Sequence, residues 1–430
     1  MKYEPIDNRL FIENRKRFMS HLEPKSIAAF NSNDIYPIGA DSTMPFQQAR
    51  DIFYLSGIDQ EESILLLFPD AVEEKHKEVL FVRKTDKHIA VWEGPKLTKE
   101  EATKVSGIET VYWLEEFDAI FFELMTQAET IYFNTNEHYR QAVVTETRED
   151  RFIKTTKEKY PAHRWAKSNP ILQRLRSVKD PIELDLMQKA CDITEKGFRR
   201  ILNFVKPGVW EYEIEAEFIH EFIRNRSRGF AYTPIIASGN NANILHYIEN
   251  NQQCKDGDLI LLDVGAEYAN YSSDMTRTIP INGRFTARQK EVYQAVLDVL
   301  REANTLLVPG TIWKEYHVEV GKIMTDKLLQ LGLLDKADVK NEDPNWPAYK
   351  KYFMHGTSHH LGLDTHDYGI LWEPMEANMV FTIEPGIYIP EEGFGVRLEN
   401  DVVIQEQGNP VDLMENIPIE AEEIEELMNA

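Results

Sequence analysis

The chain has 430 residues, 42% of them apolar, with 21 Phe, 18 Tyr, 7 Trp and a formal net charge of −24. That length predicts two or three domains with a substantial core and excludes a disordered chain. The acidic balance argues against nucleic acid as a partner, because a phosphate backbone needs a basic face.

The two cysteines, Cys191 and Cys254, form no C-x-x-C pair. This fits a reducing compartment and excludes a disulfide scaffold. With no long apolar run and no apolar segment in the opening MKYEPIDNRLF, the expectation is a cytoplasmic protein with no membrane association.

In chain order, Ser63–Phe68 (SILLLF), Val79–Val82 (VLFV), Thr110–Leu114 (TVYWL) and Thr130–Phe133 (TIYF) read as buried strands. Phe117–Met125 (FDAIFFELM) reads as an amphipathic helix between the last two, so a small α/β domain is expected first. The stretch Lys154–Pro170 (KTTKEKYPAHRWAKSNP) mixes charge, prolines and weak periodicity. It is expected to be a linker, which puts the N-terminal domain and linker at 1–170 and the second domain at 171–430.

The second domain opens on a predicted helix from Pro181 to Val205, with Asp180 as its N-cap and Pro181 at the first helical position. An internal repeat follows. VKPGVWEYEIEAEFIHEFI at 205–223 is echoed by VPGTIWKEYHVEVGKIMTDKLL at 308–329. In each, a helical segment leads to Pro-Gly, a tryptophan (Trp210, Trp313), a second helix and a β-rich region. That order predicts a duplicated α+β domain of two pseudo-symmetric halves. The expected hairpins are Asp258–Glu267 with Tyr271–Pro280, and Met379–Ile389 with Val396–Ile404.

Asp263 and Asp274 fall on the first hairpin and Glu384 and Glu399 on the second. Asp263 follows the run LILL, and Glu384 follows VFTI, so both are expected to be buried. A buried carboxylate must be paired, protonated or bound to a cation. Arg277 or Arg397 could pair with any one of the four. Four acids on equivalent hairpins, with a histidine-rich loop between them, favour a shared metal site instead.

Four negative charges match two divalent cations, with an imidazole as a fifth ligand. Oxygen-dominated coordination of this kind suits Mn²⁺ or Co²⁺, with Zn²⁺ or Fe²⁺ as alternatives. Two such ions can hold a bridging hydroxide and polarise a carbonyl, so amide hydrolysis is the expected chemistry. The loop MHGTSHHLGLDTHD (354–367) carries His355, His359, His360 and His366, four of the chain's 12 histidines. His355 and His359 have the spacing of a helical metal motif, but Gly356 and Gly362 argue for loop or strand, so spacing alone leaves the ligand undecided.

The pieces ILHYIEN (244–250), DGDLILLDVGAEYANYSSDMTRTIPINGRFT (256–286), the histidine loop, FTIEPGIYI (381–389) and VRLENDVVI (396–404) resemble the pita-bread metallopeptidases, and within them the aminopeptidase P branch. QQARDIFYLSGID (47–59) resembles a block of that family's N-terminal domain, so the resemblance covers nearly the whole chain.

The resemblance implies metal ligands at Asp263, Asp274, His359, Glu384 and Glu399. Asp274 and Glu399 would bridge both ions, Asp263 would serve one, and His359 and Glu384 the other. It implies substrate-side roles for His246, His355 and His366, positions beside the metals for Tyr388 and Arg397, and a neighbouring, variable place for His360. Glu384 is also expected to move the proton that the leaving nitrogen needs.

The implied substrate is a peptide with proline second, cleaved before the proline, and the implied assembly is a homo-oligomer, dimer or tetramer. Tyr232 and Tyr368 are candidates for the proline pocket. The rival readings are a prolidase restricted to Xaa-Pro dipeptides, the metal-free creatine-hydrolysing branch, and a non-catalytic binding protein on the same scaffold.

Overall fold

Short apolar runs build the first sheet. Its strands are β1 (Ser26–Asn31), β2 (Ile64–Leu67), β3 (Glu78–Val82), β4 (Thr110–Trp113), β5 (Thr130–Phe133) and β6 (Arg164–Lys167), in the order β4-β3-β2-β1-β5-β6. The computed structural model describes residues 3–135, 137–140 and 142–430, and the chain divides into two units, Tyr3–Arg176 and Ser177–Ala430. The sheet of the first unit is mixed. β2 pairs antiparallel with β1 and β3, while β4, β5 and β6 are added in parallel. Ile27, Leu66, Phe81 and Ile131 bury one face of it against Phe121, Leu124 and Met125 of the helix Phe117–Met125, as the apolar spacing of that helix requires.

The stretch 154–170 is not a linker. Lys154 to Lys159 complete the helix Arg148–Lys159, residues 164–167 are the sheet's edge strand β6, and a further helix, Asn169–Ser177, follows. The strand β6 is largely exposed, so it carries no apolar run to betray it. Pairing with β5 makes it a strand.

The second unit begins with the helix Pro181–Leu202, capped by Asp180, whose side chain accepts from the Ile182 amide at 2.9 Å while Glu183 closes the capping box. Its strands are β7 (Ile235–Ser238), β8 (Leu259–Val264), β9 (Glu267–Tyr268), β10 (Tyr271–Ser272), β11 (Met275–Pro280), β12 (Val380–Ile383), β13 (Gly386–Ile389), β14 (Phe394–Arg397), β15 (Asn400–Val403) and β16 (Val411–Asp412). They form β11-β8-β7, the small pair β10-β9, β12-β15-β16 and the pair β13-β14.

The duplication is visible in matching hydrogen bonds. Gly208 and Gly310 turn the chain at φ +96 and +93. Gly208 donates to Cys254 and Gly310 to Met375, each at 2.9 Å, and Cys254 and Met375 return bonds to Val209 and Thr311, each at 2.8 Å. The tryptophans are not equivalent, however: the isolated bridges match Trp210 (to Gln253) with Ile312 (to Pro374), so Trp313 lies one residue further on.

The four acids differ from the expectation in one respect: only Asp263 lies inside a strand. Asp274 immediately precedes β11, Glu384 sits in the break between β12 and β13, and Glu399 in the break between β14 and β15. Interrupted strands re-aim the side chains at the break, which a regular pleat would send to alternate faces. No helix among the described residues is long and apolar enough to cross a membrane.

Candidate metal centre

The two halves supply their acids in the same way. Asp263 and Glu384 occupy corresponding places after the starts of β8 and β12, and Asp274 and Glu399 each stand just before β11 and β15. The halves are joined at the acids themselves: Thr276 and Glu399 form a bridge, with the Glu399 amide donating to the Thr276 carbonyl at 3.0 Å. The Thr276 hydroxyl donates to Glu399 Oε2 at 2.6 Å. Gly265 lets the chain of Asp263 pass the chain of Asp274, because a Cβ there would lie 1.8 Å from the Ser273 carbonyl oxygen.

The histidine loop lies beside β12 as β7 lies beside β8. Thr382 donates from its amide to the His359 carbonyl at 3.0 Å, and Ala237 faces Leu261 at the corresponding place in the first half. His359 therefore has no histidine counterpart. Its Nδ1 donates to the His360 carbonyl at 3.0 Å, which places a proton on Nδ1 and turns Nε2 toward the acids, and although burial opposes it, Asp274 and Glu384 raise the imidazole above its ordinary value. That Nε2 lies 3.4 Å from Asp274 Oδ2 and 3.7 Å from Glu384 Oε1. Asp274, His359 and Glu399, all buried, each offer one ligand atom within 4.8 Å of the others.

A second chain of contacts runs behind these groups. Arg397 donates from Nη2 to Asp263 Oδ2 at 2.5 Å, from Nε to the Thr276 hydroxyl at 3.2 Å and from Nη1 to the Tyr388 hydroxyl at 2.7 Å. Tyr388 in turn donates to Nε2 of His355 at 2.7 Å, and His355 Nδ1 donates to the Gly356 carbonyl at 2.8 Å. Burial, aided by Arg397, pushes the His355 imidazole down to about 3, so it is neutral at ordinary pH. Arg277, the other candidate partner for the acids, spends its guanidinium on the carbonyls of Pro418, Thr276 and Glu399 and on Asn400 Oδ1.

His366 is exposed and its ring meets that of His359 edge-on at 4.3 Å. His246 is exposed as well, and near enough to His355 for its charge to oppose protonation there. His360 is a packing residue, buried with its ring 4.3 Å from that of Phe381. Of the two tyrosines considered for a proline pocket, Tyr232 instead sends its hydroxyl to Asp263 Oδ1 at 2.6 Å and Asp274 Oδ1 at 2.5 Å. Tyr368 is buried, with its amide donating to Asp367 at 2.8 Å. Thr276 escaped the sequence reading, although it stands two residues from Asp274 with polar neighbours on a buried strand.

These groups fit a cation. One phenolic proton on Tyr232 faces two carboxylate oxygens, and Nε2 of His359 faces two more. Among the described residues Arg397 is the one arginine or lysine hydrogen-bonded to any of the four carboxylate groups, and it reaches Asp263 alone. Burial pushes Asp263 up, Glu384 up to about 7 and Glu399 well above the usual carboxylate range. Divalent charge is what such a cluster lacks, and oxygen ligands with one imidazole are suited to hold it.

The model of metallopeptidase family M24 matches residues 185–406, and that of the aminopeptidase P N-terminal domain matches residues 11–132. The chain belongs to metallopeptidase family M24. It is 36% identical to the Xaa-Pro aminopeptidase of Haemophilus influenzae, over 97% of each chain. It is 34% identical to that of Escherichia coli, over 99% of this chain and 98% of the relative. The zinc-substituted E. coli aminopeptidase P in complex with product superposes with a TM-score of 0.88 at 32% identity, covering 99% of both chains.

The duplicated second unit is thus the pita-bread fold of this metallopeptidase family, with divalent metal ions as its cofactors. All five proposed ligands and the five substrate-side or supporting residues lie within the matched M24 segment.

Proposed function

We propose that this chain is a metal-dependent aminopeptidase that removes the N-terminal residue from peptides with proline second. The observation that carries this is the buried cluster of Asp274, His359 and Glu399, flanked by Asp263 and Glu384, in a chain resembling Xaa-Pro aminopeptidases from end to end. Two divalent ions, Mn²⁺ first, would be held by Asp263, Asp274, His359, Glu384 and Glu399. When bound, such ions supply Lewis acidity and make water nucleophilic at neutral pH.

The chain's own groups do the rest. Arg397 and Tyr232 hold Asp263 in place, and Thr276 holds Glu399. Glu384 takes the proton that the attacking water gives up and carries it to the leaving nitrogen: the scissile Xaa-Pro bond is a tertiary amide, so its nitrogen acquires its first hydrogen on cleavage. His355, kept neutral and tied to Tyr388, presents a fixed imidazole beside Glu384, with 3.7 Å from its Nδ1 to Glu384 Oε2. His246 and His366, both exposed, line the peptide.

The two buried free cysteines fit a cytoplasmic location. A homo-oligomer, dimer or tetramer, is what the resemblance to the aminopeptidase P branch implies for the assembly.

Assay of Xaa-Pro against Xaa-Pro-Yaa with added Mn²⁺ tests the specificity. Cleavage of the tripeptide is expected, and hydrolysis of the dipeptide alone would make the enzyme a dipeptidase. Asp274→Ala should keep the fold and lose activity; undiminished turnover would remove Asp274 from the site.

A further inference from the structure

The helix Glu211–Arg224 begins with a carboxylate that is 0% exposed and belongs to no ion pair. Five donors converge on it. Glu211 Oε1 accepts from the Ser238 amide at 2.8 Å, the Ser238 hydroxyl at 2.7 Å and Asn241 Nδ2 at 3.4 Å. Oε2 accepts from the Tyr247 hydroxyl and the Gln252 amide, each at 2.8 Å. The backbone adds to this, since the Glu211 amide donates to the Gln252 carbonyl at 3.0 Å.

All of these partners lie on one segment, Ser238 to Gln252, which leaves β7, makes an irregular excursion and returns toward β8. His246 stands near the middle of that excursion, exposed, while its neighbour Tyr247 is buried between Glu211 and the apolar cluster of Ile235, Ala237, Leu261 and Tyr388. Helix capping needs only one such bond, and a solvated glutamate at a helix start would serve the dipole as well. A buried carboxylate saturated by both ends and the middle of one loop is a clamp on that loop.

We infer that Glu211 is a positioning residue for His246: by fixing Ser238, Tyr247 and Gln252 it holds the imidazole at the mouth of the metal centre, where the peptide must pass. The inference rests on the proposed substrate-side role of His246. It assigns to Glu211 an effect on turnover that is transmitted through His246 and not through the metal ligands.

The test is Glu211→Gln in the full-length, Mn²⁺-loaded enzyme, alone and combined with His246→Ala, with kcat and KM measured on a Xaa-Pro-Yaa tripeptide. The glutamine keeps the shape, but it must turn an NH2 toward either Ser238 and Asn241 or Gln252, whose amide cannot reverse its bond. Metal content should stay at the wild-type ratio.

The expected loss in kcat/KM is about 10- to 100-fold, the scale of a small misplacement of a substrate-positioning group. The same substitution in the His246→Ala background should cost less than about twofold, since groups acting as one unit are not additive. An equal loss in both backgrounds, or wild-type turnover in Glu211→Gln, would overturn the assignment. If Glu211→Gln does not fold, Tyr247→Phe removes a single donor and keeps the ring, and the same comparison decides. Wild-type activity in His246→Ala would instead sink the substrate role of His246, and the assignment to Glu211 with it.

Discussion

Single residues around the metal centre are worth separating by what they touch. The Thr276 hydroxyl donates to Glu399 and accepts from Arg397, so it orients a proposed ligand without being one. Thr276→Val should weaken metal binding by about 10-fold, within the range for groups that support ligands, as read by titration against a metal buffer. Wild-type affinity would show that the backbone bridge alone holds Glu399.

A different carboxyl governs pH behaviour. Burial pushes Glu149, in the first unit, up to about 8, against bonds from Asn31 that favour its charged form. The unfolded chain ionises this group near its ordinary value, and the folded chain keeps the proton to about 8. Between those values the folded state binds more protons, so the group's contribution to stability falls as pH rises and is flat above. Glu149→Gln should therefore melt higher than wild type at pH 9, with the gap closing toward pH 5. A gap independent of pH would remove Glu149 as its source.

At the scale of elements, two kinds of glycine make opposite predictions. Gly208, at φ +96, has open space where a Cβ would go, so Gly208→Ala should cost about 1 kcal/mol for the left-handed backbone alone. Gly265 has the Ser273 carbonyl in that place, and Gly265→Ala should cost about 3 kcal/mol and part the segments bearing Asp263 and Asp274. Chemical denaturation and residual activity distinguish the two, and equal costs would contradict this account.

Elements also show what could be read in advance. The buried strands, the Asp180-capped helix and the four acids were legible because apolar runs and turn residues announce them locally. The edge strand β6 was not, since its sequence RWAK gains a strand only by pairing. Nor was the break that turns Glu399 inward, because VRLENDVV looks like a continuous strand. The shared Tyr232 proton depends on residues far apart in the chain, and no local signal carries it.

For the whole molecule, metal and stability are one equilibrium. Ions that bind the folded chain alone stabilise it, by about 2.7 kcal/mol at a free concentration one hundred times Kd. Chelator should lower the melting temperature and Mn²⁺ restore it, while Asp274→Ala should respond to neither; an unchanged wild-type melt would argue that the site is empty in use. The paired placement of the acids has a consequence for how the second unit holds together. Each half of that unit contributes one acid inside or after its leading strand and one before its return strand, so either half alone owns half a site. A cation held by all four acids therefore fastens one half to the other. His359, standing where the other half has Ala237, is the point at which the two halves cease to match in what they offer that cation.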